Sequence, residues 1–349
     1  MKQNIIIDED IESCMAKAME GVDYDKLFVL TDTNTLQLCW PTIQNFEFTR
    51  EAQTITIAPT DEAKTLETLA YVWTALQQGG ATRHSLMINL GGGMVTDLGG
   101  FAASTFKRGM AYINIPTTLL SQVDASVGGK TGINFGGLKN AIGVFNCAGS
   151  VILNSTFLRT LDHENLLSGY AEMLKHGLLS NEEHWAELLH FDIAQPNYKT
   201  LQHLVAKSVS IKEEIVEQDP TEKGIRKALN LGHTAGHAIE SLALQEGRTM
   251  LHGYAVAWGL VMELYLSAKK CGFPANRLHQ MEAYIKERYG KFHYDCKHYE
   301  MLYNFMRHDK KNQGSNINFT LLGGIGDIRI NQTATEQEIE EMLDYYRES

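Results

Sequence analysis

A chain of 349 residues, 44% of them hydrophobic, is too long for one ordinary core and suits two. The net charge of −11, from 42 acidic against 31 basic residues without a basic run, excludes a phosphate backbone as partner. Five scattered cysteines (Cys14, Cys39, Cys147, Cys271, Cys296) contain no Cys-x-x-Cys pair, which excludes a thiolate zinc site and a disulfide framework and fits a reducing cytoplasm.

The opening "MKQNIIIDEDIESC" turns acidic after three isoleucines, too soon for a signal peptide. Up to about residue 155, β-branched or apolar runs alternate with helical patterns. "KLFVLTD", "TITIAP", "SLMINLGGG", "YINIPTT" and "SVILN" read as strands, and "AKTLETLAYVWTALQQGG" as a helix stopped by Gly79-Gly80. Strand, helix, strand in that order predicts a parallel sheet with crossover helices. From about residue 156 the apolar residues recur at three- and four-residue steps, in "YAEMLKHGLL", "LQHLVAKSVSIKEEIVEQ", "ALNLGHTAGHAIESLAL" and "GYAVAWGLVMELYLSAKK". The last of these carries Glu263 and is too short to span a bilayer. "NINFTLLGGIGDIRI" reads as a short hairpin before a final amphipathic helix, "EQEIEEMLDYY". The expected organisation is therefore an α/β domain over 1–155 and a helical domain over 156–349.

Glycine concentrates where chemistry is expected: 12 of the 30 lie between residues 91 and 143. In "INLGGGMVTDLGGF" a strand runs into Gly91-Gly92-Gly93 and then a helix, an order that aims backbone N–H groups at a pyrophosphate. Thr96 occupies the third glycine position of the dinucleotide fingerprint, so a plain tight turn weighs equally, and Asp97 either caps the helix or bonds a ribose. Arg108, Lys130 and Lys139, set among glycine turns, suit a small anion such as a phosphate ester, against the ordinary fate of solvated surface cations.

"LNLGHTAGHAIE" puts His233 and His237 four residues apart, on one face of a helix. Zinc proteases share that spacing, but their glutamate follows the first histidine, where Thr234 stands here. His252 in "LHGYAVAWG" and Glu172 in "SGYAEMLKHGLL" are further candidate ligands, with Lys175 one turn from Glu172. Hydrogen-bonded core histidines and a helix-surface ion pair remain the plain alternatives. Arg226 and Asn230 extend a polar stripe ahead of His233 that reads as the same helix, lining a cleft.

Taken together, "GGGMVTDLGGFAASTFKRG", "IPTTLLSQVDASVGGKTGIN", "LKNAIGVF", "LSGYAEMLKHGL", "LNLGHTAGHAIE" and "DKKNQG" resemble the 3-dehydroquinate synthase family of sugar-phosphate cyclases, in the family's order from about residue 90 to 314. The resemblance implies a Rossmann-like α/β domain followed by an all-α domain, a substrate cleft between them, one NAD, one divalent metal (Zn2+ or Co2+) and a homodimer. Carried over by motif, it implies Glu172, His233 and His252 as metal ligands. For NAD it implies Asp32, Asp61, Lys64, Gly92, Gly93, Met94, Asp97, Thr117, Thr118, Asp124, Ala125, Lys139, Thr160 and Leu161. The implied catalytic residues are His237, Lys130, Asn140, Lys175 and Arg108, the last reaching across the dimer. Asp124, Lys212, Arg226, Asn230 and one of Lys310 and Lys311 complete the implied substrate site.

In the implied reaction a seven-carbon keto-sugar acid phosphate is oxidised at one carbinol, loses phosphate, is reduced, opens and recloses, so NAD is recycled and not consumed. Lys130, Asn140, Arg108 and His237 would hold the phosphate, and Arg226, Lys212 and Asn230 the carboxylate. His237, an imidazole of the kind that titrates near neutrality, would shuttle the proton. The chain departs from the family pattern at Asp61, where glutamate is usual, at Tyr254, where glutamate usually follows the His-Gly pair, and in "FNCAG", which lacks the usual proline. Rival readings are a cyclase acting on sedoheptulose 7-phosphate or glucose 6-phosphate, and a metal-dependent polyol dehydrogenase that releases its reduced cofactor.

Overall fold

The structure, a computed structural model, describes residues 3–308 and 317–349. Lys310 and Lys311 lie outside the described residues. Two compact units emerge: Met1–Asp162 with Pro196–Val209, and His163–Gln195 with Ser210–Ser349.

The first unit runs β1 (Asn4–Ile7), α1 (Ile11–Met19), β2 (Leu27–Asp32), α2 (Thr33–Leu38), α3 (Trp40–Ile43), β3 (Gln53–Ile57), α4 (Leu66–Gln78), β4 (Leu86–Gly91), α5 (Gly93–Thr105) and β5 (Ala111–Pro116). A hairpin, β6 (Lys130–Phe135) and β7 (Leu138–Phe145), precedes β8 (Ser150–Leu153). Six strands form one parallel sheet in the order β1-β8-β5-β4-β2-β3. Every residue of β2 and β4 is buried, which is why "LFVL" and "LMINL" read as unbroken apolar runs without alternation. Leu27, Val29, Ile88, Leu90 and Ile113 pack with Ile11, Met15 and Ala18 of α1. Helix α4 begins later than the sequence pattern suggests, because the Thr65 hydroxyl accepts from the Thr68 N–H (3.3 Å) and so sets the N-terminus, leaving Asp61–Ala63 as a 3-10 turn.

Strand order reverses between β2 and β4: from β2 the chain passes outward to β3, then returns to β4 on β2's other side. In open parallel sheets ligands lie at that reversal, beyond the strands' carboxyl ends. Here those ends are Asp32 and Gly91.

The β6–β7 hairpin was not foreseen from the sequence, which reads as glycine-rich loop. Gly136 and Gly137 both have positive φ (59° and 79°), the conformation that closes a two-residue hairpin turn with Phe135 facing Leu138. The short edge strand β1 was likewise unforeseen; its isoleucines pair with β8.

The second unit contains α6 (His163–Ser180), α7 (Glu182–His190), the later part of α8 (Tyr198–Gln218), α9 (His233–Gln245), α10 (His252–Cys271), α11 (Ala275–Tyr289) and α12 (Tyr299–Arg307). The expected hairpin, β9 (Asn318–Gly324) with β10 (Asp327–Thr333), and the final helix α13 (Glu336–Glu348) follow. Helix α10 is apolar on all sides because it is central, packed by α6, α9, α11, α13 and β9. No helix among the described residues is long and apolar enough to cross a membrane.

One expectation is corrected. Arg226 and Asn230 do not share a helix with His233: Ile225–Asn230 is a 3-10 turn, and Gly232, at φ 79°, breaks the chain before α9 starts at His233. The left-handed glycine lets the backbone turn where Leu260 of α10 leaves no room for a side chain.

Candidate active site

Three helices of the second unit converge on one carboxylate. Glu172, in the middle of α6, is completely buried, and neither oxygen has a hydrogen-bond partner of good geometry. His233 Nε2, from the first residue of α9, stands 3.4 Å from Glu172 Oε1, and His252 Nε2, from the first residue of α10, stands 3.5 Å from it. Ligand atoms about 2.0–2.2 Å from a tetrahedral ion are about 3.3–3.6 Å apart, so these spacings fit a divalent metal. Oε2 pairs with the Lys175 ammonium, which leaves Oε1, the oxygen that both imidazoles face, as the donor such an ion requires.

Backbone packing brings these groups together. A Cβ on Gly253 would fall inside contact distance of the Ser168 carbonyl, so only glycine lets the start of α10 approach α6 this closely. The start of α9 is held by Glu263 of α10, a buried carboxylate accepting from Gly232 N (2.7 Å) and Ala235 N (3.0 Å). That cap satisfies two helix-terminal donors that would otherwise be buried unpaired.

Charge inside the cluster is balanced. Burial pushes the Glu172 carboxyl up, but the Lys175 ammonium paired with it, together with His233 and His252, holds it well below the usual carboxylate range. Burial pushes the His252 imidazole down, yet the carboxylates of Glu172 and Glu240 facing its two nitrogens outweigh it and raise the ring to about 10. His237 places its ring centroid 5.4 Å from that of His233 and 5.9 Å from that of His252. His237, Glu240 and His252 form a second group at metal-ligand spacing, overlapping the first at His252.

The remaining second-unit candidates are largely buried cations. Lys212 on α8 and Arg226 are 5% and 2% exposed, unusual for such residues unless a fixed partner or ligand meets them. Arg226 donates through Nη1 to the Pro220 carbonyl (2.7 Å), and its own N–H is held by Asp219, which also accepts from Lys223 N and Gly224 N. Asn230 donates to Glu222 Oε1 (3.0 Å). Glu222, in the left-handed conformation (φ 60°), and Glu240 were missed in the sequence reading. Glu240 was legible in principle, seven residues after His233 on the same helix face; nothing in the spacing singles out Glu222.

In the first unit the glycine turn meets the loop after β5. Gly92 caps α5, and a Cβ on it would press on Thr118 at 3.0 Å; one on Gly93 would press on Ala125. Thr117 N donates to the Gly91 carbonyl (2.9 Å), and Thr118 bonds Ser121 in the π-helical turn that holds Asp124 and Ala125. Met94 is half-buried in the first turn of α5. Asp32 ends β2 and caps α2 through Asn34 N and Thr35 N; Thr160 lies 3.9 Å from Cys39 just beyond that helix, with Leu161 next in the chain.

Asp97 does not cap α5, which starts four residues earlier. It pairs instead with buried Lys64 (2.5 Å), whose Nζ also donates to Asn140 Oδ1. Burial pushes the Asp97 carboxyl up and Lys64 offsets part of that. Asp61 reaches Lys139 (3.9 Å) and accepts from Asn134 (3.3 Å), so the aspartate in place of glutamate still engages the hairpin. Arg108, Lys130, Lys139 and Asn140 are exposed, with Arg108 and Asn140 in the left-handed region (φ 71° and 49°).

The model of the 3-dehydroquinate synthase N-terminal domain matches residues 54–168, and that of the C-terminal domain matches 169–312. The chain belongs to the 3-dehydroquinate synthase family. A 3-dehydroquinate synthase of Parabacteroides distasonis is 54% identical, covering 100% of this chain and 99% of its own length. That of Clostridium tetani is 35% identical over 97% of this chain and 91% of its own. Among solved structures, 2-epi-5-epi-valiolone synthase from Streptomyces hygroscopicus, with NAD+ and Zn2+ bound, superposes with a TM-score of 0.87 at 25% identity, covering 100% of this chain and 97% of that one. A 2-deoxy-scyllo-inosose synthase complexed with carbaglucose-6-phosphate, NAD+ and Co2+ shares the fold, with a TM-score of 0.86 at 22% identity over 99% of this chain and 97% of that one. Membership of the 3-dehydroquinate synthase family agrees with the departures noted at Asp61 and Tyr254 being local: Tyr254 packs on Trp258 and Tyr289 (ring centroids 5.9 and 5.2 Å), inside the helical core.

Proposed function

We propose that this chain converts 3-deoxy-D-arabino-heptulosonate 7-phosphate to 3-dehydroquinate and phosphate, the cyclisation step of the shikimate pathway leading to aromatic amino acids. The observation that carries the reading is the buried Glu172 with His233 and His252 Nε2 at ion-ligand spacing, in a chain 54% identical along its length to a 3-dehydroquinate synthase. Bound NAD would accept and return one hydride. A zinc or cobalt ion on Glu172, His233 and His252 would supply Lewis acidity.

The protein's own groups carry the rest. Gly92, Gly93 and Met94 present the start of α5 to the nucleotide's phosphates, with Asp32, Asp61, Thr117, Thr118, Ala125, Lys139, Thr160 and Leu161 around it. Lys64 fixes Asp97 and Asn140, joining a nucleotide-binding group to a phosphate-binding one. Arg108, Lys130 and Asn140 hold the leaving phosphate, and Asp124 orients substrate beside the π-helical turn. Arg226, Lys212 and Asn230, with Lys310 or Lys311, bind the substrate carboxylate. Lys175 keeps Glu172 ionised, and His237 moves the proton at the imidazole edge facing the cluster. The first unit is thus read as nucleotide-binding and the second as metal- and carboxylate-binding.

A homodimer and a cytoplasmic location complete the reading. The dimer is supported by exposed Phe135, Leu138, Ile142, Val144 and Phe145, five large apolar residues on the one β6–β7 hairpin. The location is supported by five free cysteines, Cys14 and Cys39 being buried.

The test is to incubate the purified chain, loaded with zinc or cobalt, with NAD and each of three substrates: the heptulosonate 7-phosphate, sedoheptulose 7-phosphate and glucose 6-phosphate. Phosphate release with dehydroquinate formation from the first alone supports the reading. Turnover of either carboxylate-free sugar, or steady accumulation of NADH, contradicts it.

A further inference from the structure

We propose that Glu240 is a positioning residue that aims His252 at the metal. The inference rests on the metal reading above and adds to it a group outside the ligand set.

His252 is the first residue of α10, followed by glycine, so the helix itself does little to fix its ring. Its two ring nitrogens have different neighbours. Nε2 faces Glu172 at 3.5 Å, and Nδ1 stands 3.2 Å from Glu240 Oε2, a hydrogen-bond separation. Nδ1–H donating to a carboxylate leaves the Nε2 lone pair for the ion, fixes the ring's rotation and makes Nε2 a stronger donor. The other ligand histidine is set differently: His233 Nδ1 lies 3.1 Å from its near neighbour, the Leu231 carbonyl, within the turn that starts α9. Helix α9 therefore contributes His233 directly and orients His252 through Glu240, two turns further along the same face.

The rival role, Glu240 as a ligand with His237 and His252, is disfavoured by burial and bonding. Glu172 is fully buried with Oε1 facing Nε2 of both His233 and His252, whereas Glu240 keeps 16% of its side-chain exposure and engages Nδ1. Tyr254, two residues after His252, packs against Trp258 and Tyr289 and offers no carboxylate, leaving that task to the neighbouring helix.

The test uses the full-length chain freed of metal, with Co2+ as the probe and a chelating chromophore as competitor. Glu240→Ala is expected to weaken cobalt binding by about 10- to 100-fold, the usual cost of removing an outer partner, and to shift the visible cobalt bands. Glu240→Gln, which can still accept from Nδ1, is expected to recover most of the affinity and the parent spectrum. Both metal-free variants should still melt in one cooperative transition, which separates positioning from folding. Parent-like affinity and spectrum in Glu240→Ala would overturn the proposal. So would complete loss of cobalt in both variants, which would make Glu240 a ligand. A parent chain that takes up no cobalt would refute the metal reading itself, a result distinct from either.

Discussion

The proposed metal cluster of the second unit and the proposed anion-binding segment of the first are built on opposite principles. Glu172, Lys175, Arg226 and Lys212 are buried, and the neighbouring Glu263 is spent on backbone N–H groups at the start of α9. Arg108, Lys130, Lys139 and Asn140 lie exposed, Arg108 and Asn140 at positive φ and Lys130 directly after Gly129. Burying a charge costs several kcal/mol unless a partner meets it, so the geometry of the first set is fixed before any ligand arrives. Exposed cations carry no such penalty, so nothing in their burial fixes them in advance. On the function proposed above, the part that would hold an ion at definite distances is thus preorganised, and the part that would hold a departing phosphate lies exposed.

Removing Glu172 should expose that contrast most sharply. Glu172→Ala leaves the Lys175 ammonium buried without its partner, and about 3–5 kcal/mol of folding stability should go with it in denaturant titrations. The same change at exposed Asp61 should cost less than about 1 kcal/mol. If both cost the same, the first cluster is not preorganised by burial.

Glu263→Ala leaves two buried helix-terminal N–H groups without their acceptor and should cost about 1–3 kcal/mol in the same assay, with weaker metal retention because α9 begins at His233. Lys64→Met should act on the first unit: NAD binding, followed by fluorescence titration, should weaken by about tenfold, equivalent to roughly 1.4 kcal/mol, while metal content stays unchanged.

The smallest effect is a proton. In the metal-free chain His252 is raised to about 10 and is protonated at neutral pH, so cobalt uptake should release about one proton per ion and tighten by up to about tenfold per pH unit between 6 and 8. The sign follows from a folded value above the ordinary 6.5: the stability that this proton lends the metal-free fold is fully present below pH 6.5 and is lost as pH rises through about 10. Cobalt affinity independent of pH would contradict the picture of a protonated His252 in the metal-free chain.

Much of this was legible in the sequence, for reasons that differ by element. Unbroken apolar runs announced β2 and β4 because both their faces are covered, and glycine after a strand announced the start of α5. The β6–β7 hairpin was hidden because β7 is exposed along its length and Gly132 and Gly143 interrupt the strand pattern, and the "FGGL" turn was its one clear signal. In the second unit, four-residue spacing placed His233 and His237 on one face but could not divide their roles. The proposed division rests on where α6 and α10 bring Glu172 and His252, 61 residues before His233 and 19 after it. No local pattern encodes contacts of that range, and the break at Gly232, which removes Arg226 from the helix, was equally invisible to periodicity.

The central claim is that one helix face is split between holding an ion and doing chemistry. The direct measurement is bound metal per chain, by elemental analysis, beside turnover of the heptulosonate phosphate in His233→Ala and His237→Ala. The account predicts that His233→Ala loses the metal, whereas His237→Ala retains it and loses about 10²- to 10⁴-fold in turnover. Equal loss of metal from both variants would contradict it.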